Sequence, residues 1–540
     1  MKKKLVITAV AVIFLSATTY KSDFFEIAKQ IEIFTTMFKE LNMNYVDETN
    51  PGDLMDTAIK NMLDDLDPYT VFMNEQDVEA ARINNTGDFT GIGASVKTLE
   101  DRLVIVEPFK GYAADKAGLK AGDAIIKVDA INVAGFNNDS GDLLRGEAGS
   151  KVSVTFLRQG ETKTATITRQ AVEAKAVPLY TMVDDKTGYI ALSKFTASAS
   201  LETSNAFREL KAEGAEKLIL DLRGNPGGLL REAINIVNFF VPKDQLVVTT
   251  KSKVEKYNRE YFTQRAPMDT EIPIVVLIDG GSASASEIVS GALQDLDRAV
   301  VIGATSFGKG LVQRPKPLTY GTQLKITISR YYTPSGRCIQ ALDYWNRDEK
   351  GNAVRTKQEN YNEFKTKNGR SVFDGGGVSP DIEMVESKVS SITNAILKDD
   401  YVFNFATDYY YKNNVSDIAS FNISDSDFNS FKSYLKSENF AFDTKTEKAL
   451  DKALLVASEE GLDDELSAGY SNIISALNQY KNDAINKNKK QLMTQLANEI
   501  VKRYFYREGL HEYYINTNIE IQKAVEILST SSNYMRILNN

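Results

Sequence analysis

The spacing of apolar positions changes along the chain, and each change predicts a different kind of structure. Between Phe24 and about Asn85, Ile27, Ile31, Ile33, Phe34 and Met37, then Leu54, Ala58, Met62 and Leu66, recur at helical spacing until Asp67-Pro68 stops the pattern. From Phe89 to about Gln170 the apolar runs are short, such as Leu103 to Val106, Ala124 to Val128 and Lys151 to Phe156, and glycine turns separate them. That is the pattern of a compact β-rich module. From about Tyr189 to Tyr332 strand-like runs (Lys217 to Leu222, Pro273 to Ile278, Ala299 to Ile302) alternate with helical ones (Leu229 to Phe240, Ser286 to Leu296). Such alternation predicts an α/β core around a mostly parallel sheet. Beyond about Ser387 the chain turns polar, rich in Tyr and Asn, and leans to helix without a chemical signature. The expected fold class is multidomain α/β, with segments 1–20, 22–85, 86–172, 173–386 and 387–540, and no internal repeat.

The first segment reads as an export signal. Lys2, Lys3 and Lys4 precede the apolar run Leu5 to Leu15, and the small residues Ser16, Ala17, Thr18 and Thr19 follow. The run falls short of the roughly 20 residues a spanning helix needs, and no cysteine follows it to carry a lipid. The expectation is therefore an exported protein, periplasmic or otherwise extracytoplasmic, with the segment either cleaved or kept as a membrane anchor.

Composition then removes whole classes of function. A formal charge of −9, with no dense basic block past the first residues, gives nucleic acid no footprint. One cysteine and one histidine in 540 residues build neither a disulfide framework nor a zinc site. No metal and no cofactor is expected. Any hydrolytic chemistry has to run without a histidine base.

Within the β-rich module, Phe89-Thr90-Gly91-Ile92-Gly93-Ala94 places glycines so that successive backbone N–H groups of Gly91, Ile92, Gly93 and Ala94 converge on a carboxylate, beside a strand edge that an added peptide strand could extend. Further on, Ala113-Ala114-Asp115-Lys116-Ala117-Gly118-Leu119 and Gly122-Asp123-Ala124-Ile125 resemble the helix and turn of bacterial PDZ domains. The resemblance implies a reader of free protein C-termini.

Two motifs in the α/β region carry the chemistry. Gly303-Ala304-Thr305-Ser306-Phe307-Gly308-Lys309-Gly310 nearly matches a phosphate-binding loop, but Gly310 lacks the hydroxyl for magnesium, and Pro315 and Pro317 spoil the helix that should follow. A serine–lysine reading accounts for more residues. Ser284, in Gly281-Ser282-Ala283-Ser284-Ala285-Ser286-Glu287, sits between a strand and a helix, and Lys309 lies among Phe307, Leu311 and Val312 with its nearest carboxylates in sequence at Asp295 and Asp297. A lysine amine, protonated up to about pH 10.4 in water, can take a serine proton only if desolvation lowers its pKa by roughly 3. Gln313 could orient that amine without adding charge. The Ala285 N–H at the helix N-terminus, and Gly227 and Gly228 in Leu222-Arg223-Gly224-Asn225-Pro226-Gly227-Gly228, offer oxyanion donors. Ser282 and Ser286 are expected to be helix caps.

Taken with Tyr332-Thr333-Pro334-Ser335-Gly336-Arg337 and Gly377-Val378-x-Pro380-Asp381, these motifs resemble, in order, the carboxyl-terminal processing (tail-specific) protease family over about Phe24 to Glu383. The resemblance implies a crotonase-like (ClpP/crotonase type) α/β protease core with a PDZ domain inserted ahead of it. It implies serine endoproteolysis of proteins with free, apolar C-termini. It assigns Ser284 as nucleophile, Lys309 as general base, Gln313 as third member and Ala285, Gly227 and Gly228 as oxyanion hole, and it sets Arg145 as a switch contact in a PDZ domain that gates the site. Cys338 is expected to be a packed thiol. His511 is expected to be structural or at the surface. Segment 387–540 carries no resemblance and is open to dimerisation, to inhibition or to an adaptor. The rival reading is a tail-binding PDZ scaffold with an inactive core.

Overall fold

The computed structural model describes residues 22–136, 140–173, 175–384 and 389–539. The export signal expected at residues 1–20 lies outside them. The chain divides into two compact units, one of residues up to 75 with 313–327, the other of residues 76–312 with 328–540.

In the first unit, helices Ser22–Asn44 and Pro51–Asp64 occupy the region of helical periodicity. The second starts on a local device: Asn50 Oδ1 accepts from the Gly52 N–H, and Pro51, which needs no hydrogen-bond partner, takes the first position. The first helix forms, yet Phe24, Phe25, Ile27, Ile31 and Met37 are exposed. Its apolar spacing predicts the helix but not burial. In the same unit Val71–Met73 pairs antiparallel with Gln323 to Lys325.

The second unit is built on a six-stranded sheet, in the order 179–182, 187–191, 217–221, 274–278, 300–303, 382–383. Its first pair is antiparallel and all later pairs are parallel. Side chains alternate across a strand, so the continuous apolar runs serve two cores. Leu218, Leu220, Ile274, Val276 and Val301 face helices Ala199–Ala212, Leu230–Phe240 and Ala285–Asp295. Ile219, Val275, Leu277, Val300 and Ile302 face Ile521, Ala524, Ile527 and Leu528 of helix Ile519–Ser529, and Tyr534 and Leu538 of helix Ser531–Asn539. Those last helices close the sheet. A parallel sheet buried on both faces is what the β/α alternation predicts, but the second cover comes from the C-terminal segment.

The β-rich module carries its own sheet, 94–98, 103–108, 124–128, 151–158, 161–168, with 131–132 added beside 124–128. It closes on its own core, which includes Ile92, Leu103, Ile105, Leu119, Ile125, Val154 and Ile167. The chain enters along Asp88–Gly91 and leaves along Gln170–Glu173, and these strands pair antiparallel. The module is thus an insertion with a closed neck. Helices between Ser391 and Thr517 pack around a further core of Ile396, Phe405, Phe431, Leu496 and Ile500.

The Tyr534 hydroxyl accepts from the Ile274 N–H at 3.0 Å and lies 3.2 Å from the Ile274 carbonyl, so it terminates a central strand. Leaving a buried N–H without a partner costs about 1–3 kcal/mol. Tyr534→Phe is expected to lower the unfolding free energy by that amount, measured by urea titration of the whole chain.

Candidate active site

Strand Ile274–Ile278 delivers the chain to a tight turn, and helix Ala285–Asp295 starts immediately after Ser284. Ser284 has φ 54° and ψ −109°, a conformation L-residues avoid. Strain of this order, about 1–3 kcal/mol, persists only where surrounding contacts hold it. They are present here. The Ser284 N–H donates to Glu287 Oε2 at 2.7 Å, and the Tyr331 hydroxyl reaches the Ser284 carbonyl at 3.1 Å.

The glycine loop lies against this turn. A Cβ on Gly227 would sit 2.9 Å from Ser284 Cβ and 2.8 Å from the Ala285 nitrogen, and the φ of +95° also favours glycine. Gly227 therefore touches the serine directly. Its own N–H, however, donates to Asn225 Oδ1 at 2.9 Å. Among the described residues the N–H groups of Gly228 and Ala285 are the ones left without a protein acceptor in this pocket.

Ser282 and Ser286, expected as caps, do something else. The Ser282 hydroxyl donates to the Leu222 carbonyl at 2.8 Å and the Ser286 hydroxyl to the Asn225 carbonyl at 2.9 Å. Asp279 Oδ1 accepts from the Gly224 and Gly281 N–H groups at 2.8 and 2.9 Å. Together they stitch the glycine loop to the Ser284 turn. The serine richness of the motif serves that seam, because hydroxyls are small enough to donate between two close backbones.

Lys309 enters on the segment between strands Val300–Gly303 and Leu311–Pro317. A strand, not a helix, follows it, in keeping with the rejection of a phosphate loop. Gly308 has φ +87°, and a Cβ there would lie 2.4 Å from Ala341 Cβ. The glycine lets the lysine segment press against the chain at Ala341. The Lys309 carbonyl accepts from the Tyr331 hydroxyl at 2.6 Å, so one phenol bonds the backbones of both Ser284 and Lys309.

The residue that sequence reading missed is Glu287. Around Lys309 the sequence places no carboxylate, but the fold brings this one, fully buried, between the two motifs. Its Oε2 accepts from the N–H groups of Ser284 and Lys309 (3.0 Å), and its Oε1 from the Gly308 N–H (2.7 Å) and the Ser306 hydroxyl (2.6 Å). Ser306 accepts in turn from the Val378 N–H at 2.7 Å. Burial pushes the Glu287 pKa up to about 7, against the opposing pull of those donors. The signal was available: Glu287 lies three positions after Ser284, where a carboxylate reaches back to the residue preceding a helix.

Gln313 belongs to the other unit, where its Nε2 donates to Thr327 Oγ1 at 3.2 Å and Thr327 Oγ1 donates to Asp67 Oδ1 at 3.1 Å. Cys338 is a free, partly buried thiol whose pKa burial raises. His511 is half-buried, and desolvation lowers its pKa.

In the inserted module, a cleft of ≈ 220 Å³ is bounded by Gly91, Ile92, Ala94, Val96, Leu144 and Arg145, and Ile83 also lines it. Strand Ala94–Thr98 ends its sheet, so its outer edge borders that cleft. The Ala114 N–H donates to the Ile92 carbonyl at 2.7 Å and the Phe109 N–H to the Gly93 carbonyl at 2.9 Å, which fixes the loop with its carbonyls turned inward. Arg145 pairs with Asp142 at 2.8 Å.

Three family models match successive parts of the chain. Residues 186–344 match the model of peptidase family S41, residues 90–168 that of the PDZ domain, and residues 392–528 that described as a probable PDZ-protease C-terminal helical domain. A carboxy-terminal-processing protease of Bartonella bacilliformis is 38% identical over 322 residues, covering 58% of this chain and 73% of that protein. The chain belongs to the carboxy-terminal processing protease family. It is a serine-type peptidase with a PDZ domain, a mixed α/β protease domain and a helical C-terminal region. The carboxy-terminal processing protease CtpA of Bacillus subtilis is 35% identical, covering 60% of this chain and 68% of that protein. A solved photosystem II D1 C-terminal processing protease is 28% identical, covering 66% of this chain and 88% of that one, with a TM-score of 0.37. The segment expected to resemble nothing, beyond residue 387, thus has a family of its own.

Because the folded-state pKa of Glu287 lies above its ordinary 4.5, the folded state holds the extra proton between those values. Stability from this group is fully present below about 4.5 and is lost as pH rises through about 7. The unfolding free energy of the parent protein is expected to fall relative to that of Glu287→Gln over this window and to run parallel above it, measured by urea unfolding from pH 4 to 9.

Proposed function

We propose that this member of the family is an exported endopeptidase that reads the free C-terminus of a protein substrate through its PDZ domain and cleaves peptide bonds with Ser284 and Lys309. The single observation that carries the reading is the buried Glu287 carboxylate, which ties the backbone of Ser284 to that of Lys309. The core is proposed to be crotonase-like. Its parallel strands with helices packed on them support that assignment.

In the proposed reaction neutral Lys309 takes the proton of the Ser284 hydroxyl as the oxygen attacks the scissile carbonyl. The N–H groups of Ala285 and Gly228 then face the developing oxyanion, aided by the N-terminus of helix Ala285–Asp295. Gly227 acts by its lack of a side chain. Protonated Lys309 returns its proton to the leaving amine, and water hydrolyses the acyl-enzyme by the same route. Gln313 is the proposed third member. A substrate tail is proposed to extend strand Ala94–Thr98, with its carboxylate on the Gly91–Ala94 loop and an apolar side chain toward Ile92, Val96 and Leu144. Arg145, at the end of that cleft, is the proposed switch contact.

Residues 1–20 are proposed to direct export to an extracytoplasmic compartment, cleaved or retained as an anchor. No helix among the described residues is long and apolar enough to cross a membrane. The exposed apolar side of helix Ser22–Asn44 supports association with a membrane or with a second copy.

Ser284→Ala and Lys309→Ala are each expected to abolish cleavage of an unstructured protein with an apolar C-terminus, followed by gel and mass spectrometry, while circular dichroism stays unchanged. Retained turnover in both would overturn the assignment. Gln313→Ala should retain partial activity. With the parent protein, amidating the substrate's C-terminus should raise KM. Equal rates on free and amidated substrates would remove the tail-reading role of the Gly91–Ala94 loop.

A further inference from the structure

The helical region beyond residue 391 touches the PDZ domain through helix Tyr401–Lys412, by Lys97–Asp400 and Gln159–Asp408, and through helix Lys489–Thr517, and the second of these leads directly into the residues that touch the glycine loop. That helix is broken at Tyr506, where φ is 61° and ψ −169°. At the break the Tyr506 hydroxyl donates to Asp115 Oδ1 at 2.7 Å, and Arg507 pairs with Glu107 at 2.8 Å. Asp115 follows Ala114, whose N–H holds the Ile92 carbonyl of the tail loop. The backbone of the tail loop is therefore two hydrogen bonds and one residue away from the break.

At the other end the helix runs into Asn518 and helix Ile519–Ser529, which is packed on the central sheet. Asn518 Oδ1 accepts from the Ile521 N–H at 3.0 Å and from Arg223 Nη1 at 2.9 Å, and Glu520 Oε2 lies 3.3 Å from the same Nη1. Arg223 makes its remaining bonds to Asp221, with Nη2 at 2.6 Å from Oδ2. Burial raises the Asp221 pKa, but Arg223 overcomes that and holds it low. Arg223 stands between Leu222, whose carbonyl Ser282 engages, and Gly224, whose N–H Asp279 engages. A shift of its guanidinium would therefore be felt at the seam that seats the nucleophile turn.

We propose that Asn518 and Glu520 are positioning residues of the protease site, acting through Arg223 on the 222–228 loop, and that the Tyr506–Thr517 arm couples them to the PDZ domain. This rests on the reading of Ser284 as nucleophile. Eleven helical steps at about 1.5 Å each make the arm roughly 17 Å long. Its PDZ end is anchored at a strained residue, so releasing that anchor lets the arm relax. Its core end grips the loop through a charged group, which has directional hydrogen bonds to lose.

The test uses the full chain and an unstructured protein substrate with a free apolar C-terminus. Glu520→Gln is expected to lower kcat roughly three- to thirty-fold with KM, and the affinity of a fluorescent tail peptide, unchanged. Glu520→Asp should recover part of the loss. Tyr506→Phe should also lower kcat, and Tyr506→Phe with Glu520→Gln should cost less than the product of the single losses. Unfolding midpoints within about a degree of the parent would separate positioning from unfolding. Asn518→Ala, which also removes a helix cap, gives a second reading of the same grip. Unchanged kcat in both Glu520→Gln and Asn518→Ala overturns the proposal, and strictly multiplicative losses overturn the coupling to the PDZ domain. If Ser284→Ala retains turnover, the site assignment fails instead.

Discussion

A carboxyl group removed from water costs several kcal/mol unless donors converge on it. Glu287 is fully buried, and three backbone N–H groups and one hydroxyl converge on its two oxygens. Those donors come from Ser284 at one end and from Ser306, Gly308 and Lys309 at the other. Each needs the carboxylate as much as it needs them, because each would otherwise be a buried donor without an acceptor. Two segments far apart in sequence are thus held in one geometry by one side chain. The left-handed Ser284, the close approach of Gly227 and the double grip of Tyr331 all presuppose that junction.

Much of this was legible in the residues. The alternation of strand-like and helical runs predicted the parallel sheet, because a helix crossing between two strands returns the chain in the same direction. The motif order brought Ser284, Lys309, Ala285 and the glycine loop into one region. Other features were hidden for physical reasons. Glu287 reads in sequence as an ordinary first-turn acid, and only the return of the chain at Gly308 and Lys309 makes it a junction. Ser282 and Ser286 read as caps because cap positions favour serine, whereas their acceptors lie on the 222–228 loop.

The C-terminal helices illustrate a different limit. Their polar, aromatic-rich sequence shows helical tendency, but which side of each helix is buried depends on a surface supplied elsewhere. Ile521, Ala524 and Leu528 look like a modest stripe until the exposed face of Ile219, Val275 and Leu277 is known. The converse holds for helix Ser22–Asn44, whose richer stripe stays exposed. Periodicity reports the capacity to bury a face, not the partner.

The paired neck of the PDZ domain, Asp88–Gly91 against Gln170–Glu173, has an evolutionary consequence. Where a module enters and leaves at adjacent points, the host sheet is insensitive to the module's length and interior. Mutations that reshape the module's cleft can then accumulate without disturbing the strand that leads to Ser284. The shape of the cleft and the build of the protease domain become separately heritable traits within one polypeptide. A lineage could change what it recognises while keeping how it cuts.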